Sequence, residues 1–169
     1  MGQVLSDWNK LDSESAAAGV LPCCGSTRWA RELAQARPIA DEAELLGRSD
    51  EIWGALSLED WDEAFRSHPK IGDNKAEAAT PQSVVWSRSE QSGMAASSTE
   101  TRTALEQGNR IYEQRFGRIY IVCATRKSAE EMLADLKRRL QNDAETELCE
   151  VVEQQRQITR LRLRKWLQP

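Results

Sequence analysis

The sequence predicts an all-α fold: a single-domain bundle of about seven to nine helices with one buried extended segment near residues 119–124. Three observations carry that expectation. Apolar residues recur at helical spacing through most of the chain, with helix-start residues between the runs. Only Ile119-Tyr120-Ile121-Val122-Cys123-Ala124 reads as strand, and a lone strand has nothing to pair with in a sheet. The length, 169 residues, suits one domain with a sizeable core.

Each element has its own signal. A helix from about Asp12 to Val20 is expected to break at Leu21-Pro22, leaving Cys23-Cys24-Gly25 as a loop. Ser26 or Thr27 caps a second, from about Arg28 to Ala36, which stops before Pro38. A third runs from Asp41 to about Ala55, with Leu45, Leu46, Ile52 and Trp53 inward and Gly47-Arg48-Ser49 as a point of interruption. Ser57-Leu58-Glu59-Asp60 is a capping-box variant with Asp in the place of Glu or Gln. Its helix puts Trp61 and Phe65 on one face and ends at Ser67-His68-Pro69.

A polar loop follows over 70–81. The next helix, from about Gln82 to Ala96, places Trp86, Glu90, Gly93 and Met94 on one face. Ser97 and Glu100 form a capping box before a long helix to about Arg115, ended by Phe116-Gly117. Buried backbone in the extended run has no ladder, so its N–H and C=O groups need other partners, a ligand among them. Ser128 and Glu131 make a further capping box for a helix to about Leu140. The last helix, capped within 142–145 and running to about Trp166, has an inward stripe of Leu148, Val151, Val152, Gln155, Ile158 and Arg162.

Composition narrows the function classes. Charged residues make up 30% and hydrophobic ones 40%, as in ordinary soluble domains. A net charge of −4 opposes nucleic acid as the main partner. No apolar run reaches the roughly 18 residues that a membrane span requires, and MGQVLSDWNK lacks the apolar core of a secretory signal. Four cysteines without a CxxC pair read as reduced thiols in a cytoplasm. One histidine and no CxxC leave a metal site poorly supplied, so none is expected.

Three polar residues stand in unusual places. His68, the sole histidine, closes a helix beside a rigid proline, where the helix dipole favours its protonated form. Glu90 shares a helix face with Trp86 and Met94. Arg162 lies on the apolar line of the last helix, where a cation is costly unless an anion meets it. Each has a plainer reading: a helix-end imidazole on a nearby carbonyl, a solvated or paired glutamate, an internal ion pair with a core glutamate. Together they supply an acid/base, an orienting carboxylate and a cation for a small anionic substrate.

The motif His68-Pro69-Lys70-Ile71-Gly72, followed by Ser87-x-x-Glu90-Gln91, resembles the OHCU decarboxylase family, where OHCU is 2-oxo-4-hydroxy-4-carboxy-5-ureidoimidazoline. Cys23-Cys24-Gly25-Ser26 with Arg28-Trp29-Ala30 is similar to the N-terminal pattern of bacterial members. Phe116-Gly117 leading into Ile121-Val122-Cys123-Ala124 is similar to the family's extended segment, and Leu161-Arg162-Leu163 to its C-terminal motif. The resemblance covers about residues 10–167.

The resemblance implies an all-helical homodimer with no metal and no organic cofactor, which removes CO2 from OHCU to give (S)-allantoin in urate degradation. It implies catalytic roles for His68, Glu90 and Arg162. Substrate contacts fall on Pro69, Ser87, Gln91 and the backbone of Val122, Cys123, Ala124, Thr125 and Arg126. Thr125-Arg126-Lys127, just after the extended segment, departs from the family pattern at positions that vary among members, so the resemblance carries over least there. A lyase or hydrolase of a related ureido compound, or a non-catalytic helical interaction domain, are the rival expectations.

Overall fold

The computed structural model describes residues 2–70, 80–90 and 97–168, the side chain of Arg88 apart. Among them the regular elements are all α-helices: α1 (Gln3–Trp8), α2 (Ser13–Cys24), α3 (Thr27–Gln35), α4 (Glu42–Gly54), α5 (Leu58–Arg66), α6 (Pro81–Glu90), α7 (Thr99–Phe116), α8 (Ala129–Arg139) and α9 (Ala144–Trp166). Two compact units form, Met1–Ala64 with Arg156–Pro169, and Phe65–Gln155.

In the first unit, α3 packs against both α2 and α4. Trp29, Leu33, Leu45 and Val20 are fully buried there. The short α1, which the sequence reading did not anticipate, is held by its own side chains. Trp8 Nε1 donates to the Ala16 carbonyl at 2.8 Å, and its ring meets Trp166 edge-on at 5.6 Å. Asn9 exchanges two hydrogen bonds with the Ile39 backbone. Six residues are too few to form a helix on their own propensity, so packing makes this one.

Short polar side chains cap most helix heads, with Ser26 and Ser128 as expected from the sequence. Asp12, Ser26, Asp41 and Ser128 each accept a backbone N–H from the first turn of their helix. The Asp variant of the capping box works as the usual one does: Ser57 N–H donates to Asp60 Oδ2 at 3.1 Å, and Asp60 N–H to Ser57 Oγ at 3.3 Å. Asp143 accepts from Thr146 N–H at the head of α9.

Three expectations need correcting. Pro22 does not break α2, which continues to Cys24. Proline there forfeits one hydrogen bond in the final turn. Cys23 and Cys24 are fully buried, and Gly25, at φ 91°, closes the helix by donating to Leu21 O. The cap of α7 is Ser98 rather than Ser97, with its hydroxyl accepting from Thr101 N–H. Gly47-Arg48-Ser49 runs through α4 without interruption.

The second unit has its core between α7, α8 and the stretch that joins them. Leu105, Tyr112, Tyr120, Val122, Ala124, Met132 and Leu136 form one buried cluster. Residues 119–124 run without helix, turn or bend, as the extended segment predicted from sequence. Gly117, at φ 68°, ends α7 and lets the chain enter that segment. A turn closes it, with Lys127 N–H donating to Ala124 O and Arg126 at φ 68°.

Candidate active site

His68 lies two residues beyond α5, in the second unit, and is 8% exposed. Its N–H donates to Phe65 O at 3.2 Å, so the last turn of α5 tightens directly into the His68-Pro69 dipeptide. Pro69 is buried as well. Two contacts hold this turn against the end of α7 and the residues after it. Lys70 Nζ meets Glu113 at 2.9 Å, and the Arg118 guanidinium lies 5.9 Å from the Phe65 ring centroid. The imidazole is therefore carried by a short, doubly tethered turn.

Helix α6 begins with Thr80, whose Oγ1 accepts from Ser83 N–H, and with Pro81 at its first position. Its buried positions are Ser83, Ser87 and Glu90, spaced four and three apart on one face. Val85 points outward at 58% exposure, and Trp86 is half-buried. Of the expected face, Glu90 is buried and Trp86 half-buried, and Ser83 and Ser87 share the buried side with Glu90. The helix ends at Glu90 in its described part, and Gln91, Gly93 and Met94 lie outside the described residues.

Val122 and Ala124 of the extended segment are buried, Cys123 and Thr125 are half-buried, and Arg126 is exposed. The segment's backbone finds side-chain partners. Arg139 Nη1 donates to Ile121 O at 2.7 Å, and Cys123 N–H donates to Gln154 Oε1 at 2.8 Å. Tyr120 is anchored through its hydroxyl, which donates to Asp135 Oδ2 at 2.6 Å. The hydroxyl oxygen of Thr125 is buried and has no hydrogen-bond partner among the described residues.

Arg162 belongs to the first unit and is fully buried on α9. Cys24 lies near enough to feel its charge, and Thr159 and Glu63 also act on that thiol. Burial pushes the Cys24 thiol up to about 12, opposed by hydrogen bonds with Ser26 and Thr159 and by the charge of Arg162. Glu63 also holds the head of α3, accepting from Thr27 N–H and from its hydroxyl. The fully buried positions of α9 include Glu147, Val151, Gln155 and Arg162, so the expected stripe holds, with Glu147 on it and Leu148 half-buried.

Arg139 and Glu147, both fully buried, form an internal arginine–glutamate pair. The sequence reading did not single out Arg139, because Lys137-Arg138-Arg139 looks like a solvated basic helix end. Its spacing of three from Leu136 and seven from Met132, both fully buried, is the signal that would have found it. Between α2 and α3 lies a groove of about 460 Å³, lined by Ala17, Ala18, Leu21, Ala30 and Arg31 among others, and none of the predicted site residues reaches it. Among the described residues no three His, Cys, Asp or Glu side chains could hold a metal ion. No described helix is long and apolar enough to cross a membrane.

The all-helical fold, with its sole histidine buried beside a proline and a glutamate buried on a serine-lined helix face, points to an enzyme class of helical domain. The model of the OHCU decarboxylase family matches residues 9–164, and the chain belongs to that family. It is 33% identical over 144 residues to the uric acid degradation bifunctional protein TTL of Arabidopsis thaliana, across 85% of this chain and 44% of that protein. The chain therefore spans less than half the length of that relative. It is 28% identical over 134 residues to the 2-oxo-4-hydroxy-4-carboxy-5-ureidoimidazoline decarboxylase of Amia calva, across 78% of this chain and 75% of that one. Among solved structures, OHCU decarboxylase in the presence of (S)-allantoin superimposes with a TM-score of 0.77 at 32% identity, covering 94% of this chain and all of the other.

Proposed function

We propose that this chain decarboxylates OHCU to (S)-allantoin without a cofactor, using His68, Glu90 and Arg162. The observation that carries the reading is the buried face of α6. A helix that turns Ser83, Ser87 and Glu90 inward and Val85 outward departs from core packing. Such departures cluster where chemistry needs the polar groups. Family membership supplies the reaction.

The substrate's carboxylate sits on a carbon that also bears a hydroxyl, next to an imine-like ring bond. When the bond to the carboxylate carbon breaks, CO2 leaves and the electron pair enters the ring π-system. The ring thus acts as its own electron sink. Arg162 holds the substrate anion, and Ser87 and Gln91 bind polar edges of the ureido group. Backbone groups between Val122 and Arg126 meet the charge as it develops, where prepositioned donors count most. A proton then arrives at one face of the new carbon centre. His68 is its source, or takes the hydroxyl proton first, with Pro69 fixing the approach of the imidazole. Glu90 orients the ureido N–H groups or the histidine.

The working form is a cytoplasmic homodimer, with no nucleic acid or membrane partner. Because OHCU decays spontaneously to racemic allantoin, loss of substrate is not a sufficient assay. Circular dichroism of freshly generated OHCU should show the (S) signal growing in proportion to added protein, unchanged by a chelator. A protein-independent, racemic product would overturn the assignment.

A further inference from the structure

We propose that Gln154 and Arg139 are positioning residues that set the rotation of the extended segment, so that backbone groups of Val122 and Ala124 face the substrate. The proposal rests on the reading that this segment contacts substrate. In extended backbone the N–H and C=O of one residue leave along the same edge, and those of the next residue along the opposite edge. The two side-chain anchors both take odd positions: Arg139 Nη1 binds Ile121 O at 2.7 Å, and Gln154 Oε1 binds Cys123 N–H at 2.8 Å. That phase sends the groups of Val122 and Ala124 to the other edge.

Both of those residues are buried, at 6% and 5% exposure. Ala124 O closes the turn with Lys127 N–H. Among the described residues the N–H and C=O of Val122 and the N–H of Ala124 make no hydrogen bond. Buried backbone groups of this kind are otherwise nearly always paired. The polar edges of a small ureido substrate have the donors and acceptors to pair with them.

The anchors are themselves fixed. Arg139 is fully buried and held by Glu147 Oε1 at 2.8 Å from Nε, and Gln154 stands on α9 about two turns beyond that glutamate. Two helices therefore grip one edge of the segment through side chains that reach its backbone. A slip of one residue would turn the opposite set of amides toward the substrate.

The test uses full-length protein, kcat and KM from the circular dichroism assay, thermal melts, and amide NMR shifts on adding (S)-allantoin. Gln154→Met keeps the length and removes the acceptor. It should lower kcat about 10-fold or more, with a smaller change in KM, because donors misplaced by rotation are missed most as charge develops. Gln154→Glu keeps an acceptor and should restore kcat to within about 3-fold of the parent, or less than about 0.7 kcal/mol of barrier. In the parent enzyme the Val122 and Ala124 amides should shift with (S)-allantoin. If they stay fixed in active enzyme, the segment is not a substrate contact and the underlying reading falls. If they shift but folded Gln154→Met keeps full kcat, the positioning role alone falls. Should Gln154→Met not fold, Gln154→Glu decides: near-normal kcat supports the role, and a folded, inactive Glu variant ends it.

Discussion

Arg139 and Glu147, each fully buried, form an ion pair in which Arg139 Nη2 and Glu147 Oε1 are 2.5 Å apart. The same carboxylate accepts from the Tyr112 hydroxyl, and its other oxygen accepts from Asn142 at 2.8 Å. Losing one member strands the other charge without water. Glu147→Ala should therefore cost about 3–5 kcal/mol in urea denaturation. Replacing both, as Arg139→Met with Glu147→Leu, should cost less than the sum of the two single losses. Additive losses would show that the pair is not coupled.

His68→Asn should lower kcat by about 10²-fold or more, roughly 3 kcal/mol of barrier, while the melting temperature stays close to the parent's. His68 is held by its backbone bond to Phe65 O and by the following proline, so asparagine can occupy the turn. Turnover near the parent's would remove the imidazole from the chemistry.

Arg162→Lys keeps a charge but loses the planar fork. It should raise KM about 10-fold or more, while the melting temperature falls less than in Arg162→Ala. A purely structural arginine would give the reverse: an unchanged KM in whatever fraction remains folded. Measuring KM and the melt on both variants separates the two roles.

The Cys24 thiol provides a pH test. Burial raises it from 9.0 to about 12, so the folded chain keeps it neutral where the unfolded chain ionises it. Its contribution to stability is full below pH 9 and is lost as pH rises from there toward 12. Urea melts above pH 9 should show a decline that Cys24→Ala reduces. In the native protein at pH 9, iodoacetamide should label exposed Cys149 and leave Cys24 untouched. Rapid labelling of Cys24 would contradict its enclosure.

Local chemistry made much of the fold readable. Ser128, Asp41 and Asp12 cap the helices that follow them because short polar side chains satisfy first-turn N–H groups wherever the rest of the chain goes. Pro22 and α1 were misread for the opposite reason. Proline's cost is local, but the burial of Cys23 and Cys24 that outweighs it is tertiary, and so is the anchoring of Trp8. In the candidate site, the helix end at His68 was legible from Pro69, and the burial of Arg162 from its period with Ile158. On α6 the inward side of Glu90 was legible, but the burial of Ser83 and Ser87 beside it was not, because helical periodicity is read from apolar residues and Trp86 is only half-buried.

The most direct test of the central claim is a crystal structure of the protein with (S)-allantoin bound. One allantoin molecule should lie within hydrogen-bonding distance of the side chains of His68, Glu90 and Arg162 together. A molecule that touches none or only one of the three, or that sits in the groove between α2 and α3, would contradict the account.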